Sequence, residues 1–176
     1  MYVIFILLTI MISCVAEFYL GSWRVMLPFV GNAVFYFTVA GSWKSGLFAA
    51  VAGGVLLDLA WGRTGFYTAA ALVLWTFAAR GWARRHLETP VVANLIPGAA
   101  LPAFLALAAW GLQIISGFDR PIELDWMRCS ELLLAGIFNA PALVITIILL
   151  DSVAGACGLD RFAQSFERHK REAEDV

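Results

Sequence analysis

Long apolar blocks, each close to the length of a membrane-crossing helix and parted only by short charged stretches, fill most of this sequence. A helix needs roughly 20 residues to cross a hydrocarbon core of about 30 Å. Of the 176 residues, 61% are hydrophobic and 14% charged, whereas soluble domains are roughly 45–50% apolar and about 25% charged. Lipid is therefore the expected solvent. Unpaired backbone groups are costly there, and no stretch alternates as a barrel strand does, so the blocks are expected to be helices. The fold class that follows is all-α, a polytopic integral membrane bundle of about six transmembrane helices.

Interruptions at charged residues place the spans near 1–20, 26–41, 45–62, 65–82, 90–116 and 130–150, in one bundle covering 1–158. The second is short, begins near Pro28, and is expected to be tilted or partly re-entrant. The fifth carries Pro97, Gly98 and Pro102, which should kink or break it by removing helix hydrogen bonds. From 159 to 176 the tail sets Leu159, Phe162 and Phe166 on one helical face, with Glu167 and Arg171 at i,i+4 spacing. It reads as a short amphipathic helix on the membrane surface.

Orientation follows from the basic residues of alternate loops. Lys44, Arg80, Arg84, Arg85, Arg161, Arg168, Lys170 and Arg171 fall on the side of the termini, and Arg24, Arg63, Arg120 and Arg128 on the other. The excess puts both termini in the cytoplasm. Trp23, Trp43, Trp61, Trp82 and Trp126 stand at predicted span ends, where an indole prefers the headgroup region.

Several function classes are disfavoured. The net charge of −1 provides no basic field for a nucleic-acid partner. Cys14, Cys129 and Cys157 share no metal-ligand or CxxC spacing with each other or with His86 and His169, so neither a disulfide nor a metal is expected. The first block lacks a basic residue before its apolar run and a small-x-small cleavage site, so it is expected to be retained. Ile12-Ser13-Cys14 resembles a lipoprotein cleavage site without the basic segment that should precede it, and lipidation is not expected. No phosphate loop, HExxH, GxSxG or His–carboxylate set is present. The chain does not read as an enzyme, and no cofactor is expected.

The most informative stretch runs from Ser45 to Trp75. Gly46, Ala50, Gly54, Asp58 and Gly62 recur every four residues, a small-residue stripe that lets another backbone approach closely. Asp58 falls about one turn inside the predicted outer end of its span, where a carboxylate turns toward protein, water or a cation. Arg63 or Arg24 is its expected ion-pair partner, and its role is either to hold two helices together or to serve a binding surface. Glu17 raises the same question in the first span, close enough to the end to snorkel. Asn139 lies near mid-membrane beside Pro141, which frees the carbonyl of Ile137, and should bond to a neighbouring helix or to that disturbed backbone.

The run Gly54-Val55-Leu56-Leu57-Asp58-Leu59-Ala60-Trp61-Gly62-Arg63-Thr64-Gly65 resembles the rod shape-determining MreD family, whose members carry a Gly-x-x-x-Asp-x-x-x-Gly-x-x-Gly pattern here. A late Asn followed by Pro, here Asn139 and Pro141, agrees with it. The resemblance implies a non-catalytic bacterial inner-membrane component of the cell-wall elongation machinery. Its partners would be an MreC-like periplasmic scaffold and, through it, MreB, RodA and a class B penicillin-binding transpeptidase. It adds Gly65 to the candidate interface of Gly46, Ala50, Gly54, Asp58 and Gly62. The alternative is the substrate-binding S component of an energy-coupling-factor vitamin transporter, a bundle of similar size whose fold the MreD family is thought to share. Such components dock through a small-xxx-small face on the first helix, of which 1–20 offers no clear version.

Overall fold

The computed structural model describes residues 2–22, 27–63, 65–85, 91–115, 126–159 and 162. These form six α-helices and no strand among the described residues: α1 (Tyr2–Ser22), α2 (Phe29–Tyr36), α3 (Trp43–Ala60), α4 (Tyr67–Arg85), α5 (Leu95–Ile115) and α6 (Trp126–Ala156). Four stretches are long and apolar enough to cross a membrane, namely Tyr2–Gly21, Trp43–Ala60, Val92–Ile115 and Cys129–Ala156. The chain is thus a helical membrane bundle. Of the tail 159–176, only Leu159 and Phe162 are described, Phe162 being buried in the bundle; the rest of the amphipathic helix expected there lies outside the described residues.

The short second segment is the centre of the bundle. Its eight α-helical residues continue into a five-residue π turn, Phe37–Gly41, about 20 Å in all and well short of a full hydrocarbon core. Every residue from Val30 to Ala40 is buried, and α1, α3, α4 and α6 all pack against it. A side chain of α5 also approaches it, where a Cβ on Gly31 would come within 2.9 Å of Leu101. Aromatic contacts fill the rest, with Phe35 and Phe104 both against Trp75, and Tyr2 and Phe5 edge-on to Phe37.

α1 and α6 each turn an apolar face outward. One side of α1, including Val3, Ile4, Leu7, Leu8, Met11 and Val15, is exposed, as are Leu133, Leu134, Ile137, Phe138 and Ile145 of α6. Such apolar faces are what lipid solvates. α3 and α4 run antiparallel in close contact, as shown by Gly54 against Ala69 at one end and Trp43 against Arg80 at the other.

The prolines do not break the fifth span. Val91–Asn94 forms a 3-10 turn and α5 then runs continuously to Ile115 with Pro102 inside it. Pro97 falls in the first turn of α5, where no helical hydrogen bond from its nitrogen is required. The bond that Pro102 removes is replaced from another helix.

Candidate functional site

α4 starts without a cap of its own. The residue before it, Phe66, has φ +48° and no side-chain acceptor, so the first N–H groups of the helix need partners from elsewhere. Asp58 of α3, fully buried, supplies one: its Oδ2 accepts from the N–H of Thr68 at 3.0 Å and of Ala69 at 3.2 Å. The carboxylate also faces the positive end of the helix dipole. This reach depends on Gly54, one turn earlier on the same face. A Cβ there would lie 2.6 Å from the backbone nitrogen of Ala69, with no flexible atom to give way.

The turn between the helices is fixed just beyond. Gly62 has φ +63°, and its N–H donates to Leu59 O at 3.1 Å while Arg63 N–H donates to Asp58 O at 2.7 Å. This is the Schellman pattern that closes a helix C-terminus with glycine in the left-handed region. Asp58 therefore ends α3 through its carbonyl and starts α4 through its carboxylate.

Two expectations for this stretch are corrected. Among the described residues the partners of Asp58 are amides, and the guanidinium of Arg63 is not one of them. Arg63 is exposed, and its Nη1 donates to Thr68 Oγ1 at 3.3 Å; among the described residues no ion pair engages Asp58, and Arg24 lies outside them. The packing stripe also ends at Asp58. Gly46, Ala50 and Gly54 are buried, and a Cβ on Gly46 would meet the Thr38 backbone at 3.0 Å. Gly62 and Gly65 are exposed turn residues, and Gly62 has nothing within 4 Å of a built Cβ, because the chain has left the helix there.

Glu17 repeats the device of Asp58. α2 follows Pro28, which provides no side-chain cap, and Glu17 Oε2 of α1 accepts the N–H of Val30 at 3.1 Å. The half-buried acid thus turns inward to a helix end and does not simply snorkel.

In the middle of the bundle, Asn139 of α6 and Asn32 of α2 are both fully buried and pair reciprocally, at 2.9 and 3.2 Å. Asn139 Nδ2 also donates to Gly98 O at 2.8 Å. That carbonyl lies four residues before Pro102, whose missing N–H would have been its helical partner. Asn139 therefore satisfies a disturbed backbone, but that of Pro102 in α5; Pro141 is exposed. Close approach again permits the bond. A Cβ on Gly98 would lie 2.9 Å from Ala140 Cα, and one on Gly136 2.7 Å from Ala99 O.

Asp151, near the end of α6, accepts from the N–H of Phe162 and from Tyr36 Oη at 3.4 Å. The Phe162 ring is buried and stacked on Tyr36, 6.1 Å between centroids. Gly158, φ +67°, turns the chain back toward this contact, with Leu159 N–H donating to Ala154 O at 2.9 Å.

Sequence reasoning missed Asn32, Gly136 and Asp151, and read Gly98 only as part of a kink. Asn32 had a usable signal, as an amide in an otherwise apolar span four residues after Pro28. Chemically, the arrangement is a set of acceptors fixed on backbone donors. Glu17 and Asp58 each hold an N–H at the start of another helix, which makes them organisers of helix ends, and Asp151 holds the N–H of Phe162 against the bundle. Among the described residues no three His, Cys, Asp or Glu side chains are grouped to hold a metal ion. Comparison with family models, characterised proteins and solved structures found no match to the chain.

Proposed function

We propose that this protein is a non-catalytic inner-membrane scaffold of the bacterial cell-elongation machinery, an MreD-type bundle of six passes with both termini in the cytoplasm. The observation that carries the reading is the run Gly54-x-x-x-Asp58-x-x-x-Gly62-x-x-Gly65. Three of its four marked positions build one corner: Gly54 admits α4, Asp58 caps it, and Gly62 turns the chain. A motif spent on architecture suits a protein that works by presenting surfaces. Six passes are supported by α4 running back along α3 and by the burial of α2 among helices long enough to cross. The basic residues concentrated on the side of the termini support the orientation.

The partners in this reading are an MreC-like periplasmic scaffold and, indirectly, MreB, RodA and a class B penicillin-binding transpeptidase. The vitamin-transporter reading calls for small residues on the outer face of the first helix, whereas the exposed face of α1 carries Val3, Ile4, Leu7, Leu8 and Met11. Affinity purification of the chain in mild detergent, with identification of what accompanies it, separates the two. Recovery of a coiled-coil membrane scaffold is expected. Recovery of an ATPase-driven transporter core, or of a bound vitamin, would overturn the proposal.

A further inference from the structure

Where α3 begins and α4 ends, four cations gather at one end of the helix pair: Lys44 in the first turn of α3, and Arg80, Arg84 and Arg85 in the closing turns of α4. The register that sets Gly54 against Ala69 brings Trp43 beside Arg80, whose Cζ stands 5.4 Å from the indole centroid. Trp43, Lys44, Arg84 and Arg85 are exposed and Arg80 is half-buried. Among the described residues no ion pair engages any of the four.

The four are not equivalent. Arg84 and Arg85 lie at the negative end of the α4 dipole, which already favours a cation. Lys44 sits at the positive end of α3, in a first turn with no acidic residue, where a cation is disfavoured unless a negative group stands beside it. Ser42 caps this turn through its hydroxyl, which accepts from Ser45 N–H at 3.3 Å, and carries no charge to offset the lysine. Arg80 is oriented by its contact with Trp43. A guanidinium held over an indole by a cation–π contact still has N–H groups to offer, and these match the oxygens of a phosphate. An exposed Trp at the end of a spanning helix marks the depth of lipid headgroups.

We propose that this rim binds an anionic phospholipid headgroup, with Lys44 and Arg80 as the residues that engage its phosphate and Trp43 as the support that orients Arg80. The inference rests on the membrane location alone and stands apart from the cell-elongation reading. Each Lys or Arg near an anionic surface contributes about a fivefold gain in binding.

The test uses the full chain purified in a neutral detergent and native mass spectrometry with phosphatidylglycerol or phosphatidylcholine of matched acyl chains. Wild-type protein should retain phosphatidylglycerol in preference to phosphatidylcholine, and should release it as salt rises from about 0.05 M to about 0.5 M. Lys44→Gln with Arg80→Gln should weaken retention more than tenfold, from about fivefold for each cation removed. Arg63→Gln, at the opposite end of α3, should leave it unchanged. The salt titration needs no variant, so the proposal stays testable if the double substitution disturbs folding. Equal retention of the two lipids, retention insensitive to salt, or no effect of the double substitution would overturn it. So would displacement of phosphatidylglycerol by an equal concentration of inorganic phosphate, which would mark a site for free anions.

Discussion

The two ends of the α3–α4 pair treat charge in opposite ways. At one end Asp58 is fully buried and holds two amides of the neighbouring helix. At the other, Lys44, Arg84 and Arg85 stand in the open, and Arg80 rests on an indole. A carboxylate accepts hydrogen bonds, and the only unsatisfied donors that a helix offers are at its N-terminus. Acids can therefore be spent on the fold wherever a helix begins without a cap. Lysine and arginine have long stems that carry their charge out to the membrane surface, and these four remain available to what lies beyond it. Polar groups satisfied inward set the architecture, and those left outward set what the bundle can meet.

The largest contrast is expected for glycine substitutions at the two ends. Gly54→Leu should destabilise the bundle by at least about 1–3 kcal/mol, because the added side chain meets the backbone of Ala69 and neither helix can yield cheaply. Gly81→Leu, on α4 near the cationic end, has nothing within 4 Å of a built Cβ and should leave stability unchanged or slightly raised. Thermal unfolding of both variants in the same detergent checks this. Equal losses would erase the distinction between the two ends.

A smaller effect separates inward from outward polar groups elsewhere. Asn139→Ala leaves both Asn32 and the Gly98 carbonyl unpartnered in the core, and should cost about 1–2 kcal/mol. Lys44→Gln, on an exposed turn, should change stability by less than about 0.5 kcal/mol. Chemical or thermal denaturation in detergent reads the two side by side.

Much of this was legible in the sequence. The apolar blocks announced the helices, and the four-residue spacing of Gly46, Ala50 and Gly54 announced a packed face, because small side chains are needed wherever backbones approach. Asn139 stood out as an amide among aliphatics. The partners were harder to read. Asp58 and Glu17 bond to the backbone of Thr68, Ala69 and Val30, whose side chains carry no sign of it. A basic residue five positions on was the more visible candidate, yet the arginine turns to a threonine. The clue was an absence, since Pro28 and Phe66 stand where α2 and α4 need a capping side chain. Hydropathy likewise could not rank the short second segment as the core, because an aliphatic side chain suits lipid and protein interior equally. The link from Pro102 to Asn139 was within reach through the carbonyl four residues before the proline, but Pro141, adjacent to the asparagine, drew attention to Ile137.

The direct test of Asp58 as a helix cap is a double-mutant cycle with Arg63, scored by thermal unfolding of the detergent-solubilised protein. Asp58→Ala removes both bonds to α4 and should cost about 1.5–3 kcal/mol. Asp58→Asn keeps an acceptor oxygen and should recover much of that loss, since Asn caps nearly as well as Asp. Arg63→Ala should cost little and add independently to Asp58→Ala, within about 0.5 kcal/mol. A coupling above about 1 kcal/mol between Asp58 and Arg63, together with an Asp58→Asn variant as unstable as Asp58→Ala, would show that charge pairing and not helix capping holds this corner.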